Sequence, residues 1–187
     1  MSVRILALVG SLRAGSHNRQ LAEAAVKLAP EGAEVELFEG LAEIPFYNED
    51  IDVEGAVPAP AARLRAAAAA SDAFLLFSPE YNGTIPAVLK NAIDWLSRPY
   101  GAGAFTSKPV VVVGTAYGQF GGVWAQDEAR KAVGIAGGTV LEDVKLSVPG
   151  SVVRFAETHP VDDAEVAAQL AEVLNQLHSH VGASEAA

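Results

Sequence analysis

The chain has 187 residues, of which 50% are hydrophobic and 19% charged, and its formal net charge is −10. This composition predicts one folded domain with a substantial core, and it argues against nucleic acids and anionic membranes as partners, because both require a basic surface. The sequence contains no cysteine, which excludes disulfides, thiolate nucleophiles and cysteine-held metal centres.

Two further absences limit the kind of site to expect. The four histidines, at positions 17, 159, 178 and 180, lack a metal-binding spacing, so we expect no metal. No apolar run is long enough to cross a bilayer, and the N-terminus enters a strand-like run without the features of a signal peptide. We therefore expect a cytoplasmic protein.

Apolar runs and helix-period segments alternate along the chain. In chain order, the sequence predicts a strand over residues 3–9, a helix from 16 until Pro30, a strand over 33–38, a helix over 60–70, a strand over 73–78, a helix from 86 until Pro99, a strand over 109–115, a helix over 122–136, a strand within 139–148 and a helix from about 162.

Five strands that alternate with helices predict a parallel sheet covered on both faces. We expect a flavodoxin-like three-layer α/β sandwich, with a five-stranded sheet in the order 2-1-3-4-5. The pattern shows no internal repeat and no linker, so residues 1–182 are predicted to form a single domain. Residues 183–187 are predicted to be a frayed tail.

Three strand-to-helix connections are rich in glycine and small polar residues. They are the first loop, residues 10–18, the second loop, residues 79–85, and the third loop, residues 115–122. Each follows the carboxyl end of a predicted strand, which is where open α/β sheets bind ligands. In the order 2-1-3-4-5 the three strands are neighbours, so the loops should form one continuous rim.

The first loop has the composition of a phosphate-binding turn. Its backbone N–H groups, with the first turn of the following helix, can surround a phosphate. Ser11, Ser16 and Asn18 add neutral donors, and Arg13 adds a positive charge to an otherwise acidic chain. Ser16 is also a predicted helix cap, and a polar turn without a ligand is the remaining alternative.

Two familiar phosphate motifs do not match this loop. Gly10 and Gly15 have the spacing of a Walker motif, but Ser16 and His17 follow instead of Lys-Ser or Lys-Thr. The dinucleotide fingerprint G-x-G-x-x-G fails because position 12 is leucine. The loop is therefore predicted to bind neither ATP in the Walker manner nor NAD in the Rossmann manner.

The second loop opens the segment PEYNGTIPAVLKNAIDWLSR. Together with the first loop, its residues Pro79, Glu80, Tyr81 and Asn82 and the helix that follows resemble the NADPH-dependent FMN reductase family. This flavodoxin-like family includes bacterial chromate, quinone and azo reductases. The resemblance extends over residues 3–138.

The resemblance implies FMN as the bound cofactor and NADPH or NADH as the electron donor. Through it, Ser11, Arg13, Ser16 and Asn18 are expected to hold the FMN phosphate. The residues expected along the flavin ring and ribityl chain, largely through backbone groups, are Pro79, Glu80, Tyr81 and Asn82. The residues expected on the other side of the flavin are Thr115, Ala116, Tyr117, Gly118, Gly121 and Gly122. No residue is assigned as a catalytic acid or base.

Several aromatic and acidic residues keep alternative interpretations. Tyr117 and Phe120 depart from the resemblance, which implies smaller or polar residues there, and Tyr117 either covers the flavin or narrows the acceptor pocket. Trp124 belongs either to a subunit contact or to the core. Glu80 is alternatively an exposed loop carboxylate, and Tyr81 a packing aromatic.

The function implied by the resemblance is electron transfer from NAD(P)H through FMN to a small acceptor, with ping-pong kinetics. The acceptor classes are quinones, azo compounds, nitro compounds and metal oxyanions. The resemblance also implies a homodimer or homotetramer with the flavin near the subunit contact. Three alternatives stay open: an electron carrier without NAD(P)H turnover, a module that has lost the flavin, and a reductase of free FMN.

Overall fold

The computed structural model describes residues 2–185 as a sheet with helices on both faces. The strands are β1 Val3–Val9, β2 Ala33–Leu37, β3 Ala73–Phe77, β4 Pro109–Thr115, β5 Thr139–Val140 and β6 Leu146–Val148. The helices are α1 His17–Lys27, α2 Ala59–Ala69, α3 Ala87–Leu96, α4 Val123–Ile135, α5 Ser151–Arg154 and α6 Ala164–Glu185. Within the described part of the chain, no helix combines the length and apolar character needed to span a membrane.

The sheet is parallel throughout, and its order is β2-β1-β3-β4-β5, with β6 also paired to β4. This confirms the predicted flavodoxin-like fold and strand order. Because β1, β3 and β4 are adjacent and parallel, their carboxyl ends lie side by side at one edge. The three loops therefore begin next to one another.

Alternate residues of each central strand enter different halves of the core. Ile5 and Ala7 of β1 pack with α1 and α6, whereas Leu6 and Leu8 pack with α2, α3 and α4. Such burial on both sides explains why β1, β3 and β4 are continuous apolar runs instead of alternating ones. A strand buried on both faces is held rigidly, so its carboxyl end is a well-defined place from which a loop can start.

The predicted fifth strand is interrupted, which corrects the expectation of a single strand within residues 139–148. Val110 and Val113 of β4 are three residues apart, but their partners Val140 and Leu146 are six apart. The additional residues form a turn closed by the Val144 N–H and the Leu141 carbonyl, 3.1 Å apart. A bulge of this kind separates β5 from β6 at the sheet edge.

The chain between β6 and α6 contains α5, which the sequence pattern did not reveal. Arg154 at its end makes two contacts with Asp163, at 2.6 and 2.9 Å, and this hydrogen-bonded ion pair lowers the pKa of Asp163. Asp163 also accepts the N–H of Val166 at 3.2 Å and so caps α6. Helix α6 continues to Glu185, so residues 183–185 of the predicted tail are helical, and 186–187 lie outside the described residues.

Gly114 in β4 lies very close to the backbone that follows β3. A Cβ atom at Gly114 would lie 2.2 Å from the carbonyl oxygen of Ser78, a backbone atom that cannot turn aside. We expect Gly114→Ala to lower the free energy of unfolding by about 1–3 kcal/mol, as overpacking does. Urea denaturation followed by circular dichroism measures this loss.

The matched control is Gly182→Ala in α6, where an added Cβ meets nothing within 4 Å. Alanine has the higher helix propensity, so this variant should gain at most about 1 kcal/mol. Equal urea midpoints for the two variants would contradict the predicted close packing at Gly114.

Candidate active site

The three loops form one continuous rim at the carboxyl edge of the sheet. An added Cβ at Gly10 would lie 3.1 Å from Pro79, which places the first loop against the second. At Gly122 it would lie 3.6 Å from the Cβ atoms of both Glu80 and Ala116, which places the second loop against the third. The predicted convergence of the loops is therefore a property of the fold.

Asn18 joins the first loop to the third from inside the protein. Its side-chain amide donates to the carbonyl of Thr115 at 2.9 Å, and its Oδ1 accepts the N–H of Thr115 at 3.0 Å. The hydroxyl of Thr115 donates to the carbonyl of Val148 at 2.7 Å. Asn18 and Thr115 are buried, and these bonds use their polar side-chain groups. Their side chains therefore brace the rim, and the expected contact of the two residues with a ligand stays a prediction.

The first loop leaves an unusual number of backbone donors available. Within residues 2–185, no protein acceptor bonds the N–H groups of residues 11–15 or of His17 and Asn18. Ser16 caps α1 as predicted, because its Oγ accepts the N–H of Arg19 at 3.3 Å. Free N–H groups at a helix N-terminus are the donors that bind phosphate and carboxylate groups in proteins.

Arg13 gives this loop its positive charge. It is exposed, and no carboxylate in the described part of the chain forms an ion pair with it. Its guanidinium lies beside Gly15, since an added Cβ there would be 3.0 Å from Nη1. The cation is thus free for an external anion at the place where backbone donors are also free.

The second loop is a tight hairpin turn. Tyr81 and Thr84 exchange two backbone hydrogen bonds of 3.2 Å, and Asn82 and Gly83 between them have φ values of 55° and 74°. Asn-Gly with two positive φ angles is the preferred two-residue hairpin. The N–H groups of Glu80 and Asn82 have no protein acceptor within residues 2–185, and the side chain of Tyr81 is 51% exposed.

Glu80 has a defined partner in α4, the helix that follows the third loop. Its Oε2 accepts the N–H of Ala125 at 3.2 Å, in the first turn of α4. Gly122, at the cap position of α4, offers no side chain, so the carboxylate of Glu80 supplies the missing acceptor. Glu80 therefore contacts α4 through its carboxylate and leaves its backbone N–H for a ligand.

The third loop is anchored at its ends and exposed in its middle. Ala116 donates to Val148 at 3.2 Å and accepts from Ser151 at 3.0 Å, so the start of α5 forms part of its support. Gly121 and Gly122 have φ values of 63° and 86°, which glycine adopts without strain. The N–H groups of residues 117–120 have no protein acceptor within residues 2–185.

A buried polar network beneath the third loop was not predicted. Gln126 is fully buried, donates to the Gly121 carbonyl at 3.1 Å and accepts from Ser147 at 2.9 Å. Arg130, 3% exposed, donates to the Val112 carbonyl at 2.9 Å and to Gln126 at 3.4 Å. The sequence does carry a signal for this network, since the polar pair at i and i+4 lies on the apolar stripe of α4.

His17 lies in the first turn of α1, with its ring 5.7 Å from that of Phe155 in an edge contact. Burial, followed by the neighbouring Arg13 cation, lowers the pKa of His17. The contact also shows that the chain after α5 reaches the first loop, which no pattern in the sequence indicated.

Three aromatic side chains near the third loop point into solvent. Tyr117 is 76% exposed, Phe120 51% and Trp124 52%. The rings of Phe120 and Trp124 lie 5.3 Å apart. Trp124 is therefore not a core residue, which removes one of its two predicted interpretations.

Comparison with known proteins identifies the family to which this chain belongs. The family model described as NADPH-dependent FMN reductase matches residues 3–152, which include all three loops. The chain belongs to the NADPH-dependent FMN reductase family. This confirms the resemblance found in the sequence, and it makes the protein an FMN-dependent NAD(P)H oxidoreductase.

Individual relatives agree with this family assignment. A quinone reductase of Pseudomonas putida is 36% identical over 159 residues, which are 85% of this chain and 84% of that protein. An NAD(P)H-dependent FMN reductase of Pseudomonas aeruginosa is 41% identical over 131 residues, 70% of this chain and 69% of that protein. The solved flavoenzyme FerB, an NAD(P)H:(acceptor) oxidoreductase of Paracoccus denitrificans, has a TM-score of 0.85 and 30% identity, covering 96% of this chain and 97% of that one.

The lowered pKa of His17 predicts a pH dependence of stability in the flavin-free protein. Below the ordinary histidine pKa the unfolded chain binds a proton that the folded chain binds less well, so stability falls as pH decreases. We expect this fall between about pH 7.5 and pH 5.5, and we expect His17→Phe to reduce it. Urea denaturation at several pH values measures it, and identical pH profiles for both proteins would contradict the prediction.

Proposed function

We propose that this FMN reductase family member is an NAD(P)H:quinone oxidoreductase whose first loop binds the FMN phosphate. In this proposal the flavin ring lies between the second and third loops. The observation that carries it is the unpaired Arg13 beside the free N–H groups of the first loop. Among the residues that the structure describes, no other part of the rim combines a free cation with free helix N-terminal donors.

The two helix N-termini of the rim favour one orientation of the cofactor. At α1 the donors are free and Arg13 is positive, so a phosphate is attracted there. At α4 the carboxylate of Glu80 already accepts the N–H of Ala125, and its negative charge repels a second anion. We infer that the phosphate binds at α1 and the uncharged ring extends toward α4.

The groups around the proposed ring site suit a flat molecule with polar edges. The free N–H groups of Glu80 and Asn82 can donate to ring oxygen and nitrogen atoms. Gly122 has no side chain, and a backbone without a side chain can approach a ligand closely. Pro79, Tyr81, Ala116 and Gly118 complete the proposed contacts.

At the phosphate end, Ser11, Arg13 and Ser16 act through their side chains. Asn18 contributes only its backbone N–H, because Thr115 occupies its amide. FMN held there would supply the redox chemistry, a two-electron exchange between NAD(P)H and an acceptor. The protein would hold and orient the cofactor, and donor and acceptor would use the same site in turn, which predicts ping-pong kinetics.

Quinones are the acceptor class we propose, and the support is the Pseudomonas putida relative named quinone reductase, 84% of whose length this chain covers. We also propose that residues 1–182 act as a single domain, since β1 to α6 share one two-sided core. The cytoplasm is the proposed location, because reduced nicotinamide nucleotides are available there.

A homodimer is proposed through the groove between α3 and α4. The groove has a volume of about 590 Å³ and is lined by charges of both signs, which include Lys90, Asp94, Glu128 and Lys131. A two-fold axis brings such a surface against itself, so opposite charges can pair. Ile135 beside it is 78% exposed, which is unfavourable for an apolar side chain unless a partner covers it.

The cofactor site is tested by purifying the protein, identifying the released flavin and measuring NADPH oxidation with 1,4-benzoquinone. Arg13→Gln should raise the Kd for FMN about tenfold to hundredfold, because a charge-assisted phosphate contact is lost. Lys145→Gln removes an equally exposed charge in the β5–β6 connection and should change Kd less than about twofold. Equal effects of the two variants would argue against phosphate binding at Arg13.

The wild-type result separates the competing functions. Bound FMN with no NADPH oxidation would indicate an electron carrier. A colourless protein that oxidises NADPH only with added FMN would indicate free FMN as a substrate. A colourless protein that binds no FMN would indicate a module that has lost the cofactor.

The dimer is tested by Ile135→Asp, which places a charge beside the groove between α3 and α4. We expect the molar mass from light scattering to fall toward that of the monomer. Val153→Asp on α5 is the matched control, since Val153 is 81% exposed and lies away from the groove. A wild-type chain that is monomeric at micromolar concentration would contradict the proposal.

A further inference from the structure

The aromatic patch, which we define as Tyr117, Phe120 and Trp124, lies outside both halves of the core. More than half of each side chain is exposed, and none belongs to either half of the core. The third loop is held in place by other contacts, namely those of Gln126 and Ala116. Removing an aromatic ring here would therefore leave the supports of the loop unchanged.

The patch lies beside the proposed ring site. Tyr117 and Phe120 belong to the third loop, and Trp124 to the first turn of α4. Gly122, between Phe120 and Trp124, faces Glu80 and Ala116 across the junction of the second and third loops. The aromatic rings thus flank the part of the rim where a flavin ring and its reaction partner would lie.

The rings have the geometry of an aromatic binding surface. Phe120 and Trp124 are 5.3 Å apart with an interplanar angle of 59°. Aromatic rings at such distances attract one another and can attract a further ring by stacking or edge contact. An acceptor that is itself planar and aromatic can therefore join them.

The charges near the patch, like its shape, bear on the kind of ligand that it can bind. Residues 115–125 contain no charged side chain, and the nearest rim carboxylate, Glu80, bonds the N–H of Ala125. The free cation of the rim, Arg13, lies on the first loop, where the proposed function assigns it to the phosphate. Residues 115–125 consequently supply no cation of their own for an oxyanion, whereas an uncharged ring needs none.

We propose that the aromatic patch binds the electron acceptor and selects uncharged planar aromatic molecules, such as quinones, over metal oxyanions. The proposal rests on the proposed function, because it needs a bound flavin that passes electrons onward. In the net reaction NAD(P)H gives a hydride and water a proton, and the quinone takes both to become a hydroquinone. The patch residues bind and orient the quinone and transfer no proton themselves.

The test compares two acceptors on FMN-loaded protein. 1,4-Benzoquinone can stack on aromatic side chains, whereas ferricyanide is a non-planar anion that takes one electron at a time and cannot. Phe120→Ser and Trp124→Ser should each raise the KM for benzoquinone about threefold to tenfold. The kcat/KM for ferricyanide should stay within about twofold of wild type, since its electron transfer needs no aromatic contact.

Two controls accompany these variants. Phe46→Ser removes a more exposed aromatic, 76% exposed, from the connection between β2 and α2, and should leave the kinetics with both acceptors unaffected. Trp124→Phe keeps an aromatic ring and should restore a KM for benzoquinone close to the wild-type value. With wild type, kcat/KM for benzoquinone should exceed that for chromate at least about tenfold.

Several outcomes would overturn the proposal. One is an unchanged benzoquinone KM in both serine variants, and another is an equal loss of activity with ferricyanide. A fall in molar mass in Trp124→Ser would show that the patch is instead a subunit contact. A wild-type kcat/KM for chromate comparable to that for benzoquinone would contradict the proposed selectivity. Failure of the proposed function is distinguishable, because wild-type protein would then lack flavin or NADPH oxidation altogether.

Discussion

The buried amide of Asn18 is the interaction on which the site depends. It is bonded to both backbone groups of Thr115, 97 residues away in the chain, and so fixes the first loop relative to the end of β4. Buried amide hydrogen bonds contribute about 1 kcal/mol each, and leaving such groups unpaired costs more. The loop can present its backbone donors to a ligand because its own position does not depend on them.

The other contacts that hold the rim in place are likewise made by side chains inside the protein. Glu80 bonds α4, and Gln126 holds the Gly121 carbonyl from below, while Arg130 ties Gln126 to β4. Polar side chains are thus used inside the protein, and backbone N–H groups are left at the surface of the site. Preorganised backbone donors suit a cofactor that brings its own reactivity, because the protein then needs to position it and not to react with it.

The first and third loops of the rim also differ in charge. The chain is strongly acidic, yet the first loop carries a cation, Arg13, that has no acidic partner among residues 2–185, and the third loop carries no charged side chain. An anionic end and a neutral aromatic end of one ligand would each meet a suitable environment. The local charge of the rim thus differs from what the net charge of −10 would suggest.

The sequence by itself indicated the family, through the resemblance carried by its first two loops. It also predicted the strand order and the three loops, because buried parallel strands are long apolar runs and glycine-rich loops follow their carboxyl ends. It assigned Asn18 and Thr115 to the ligand, since a polar residue in such a loop looks the same whether it faces inward or outward. Only the tertiary structure decided that both brace the rim, that Glu80 caps α4 and that the fifth strand is split. Each of these depends on contacts between residues far apart in the chain, and local sequence patterns carry no information about such distances.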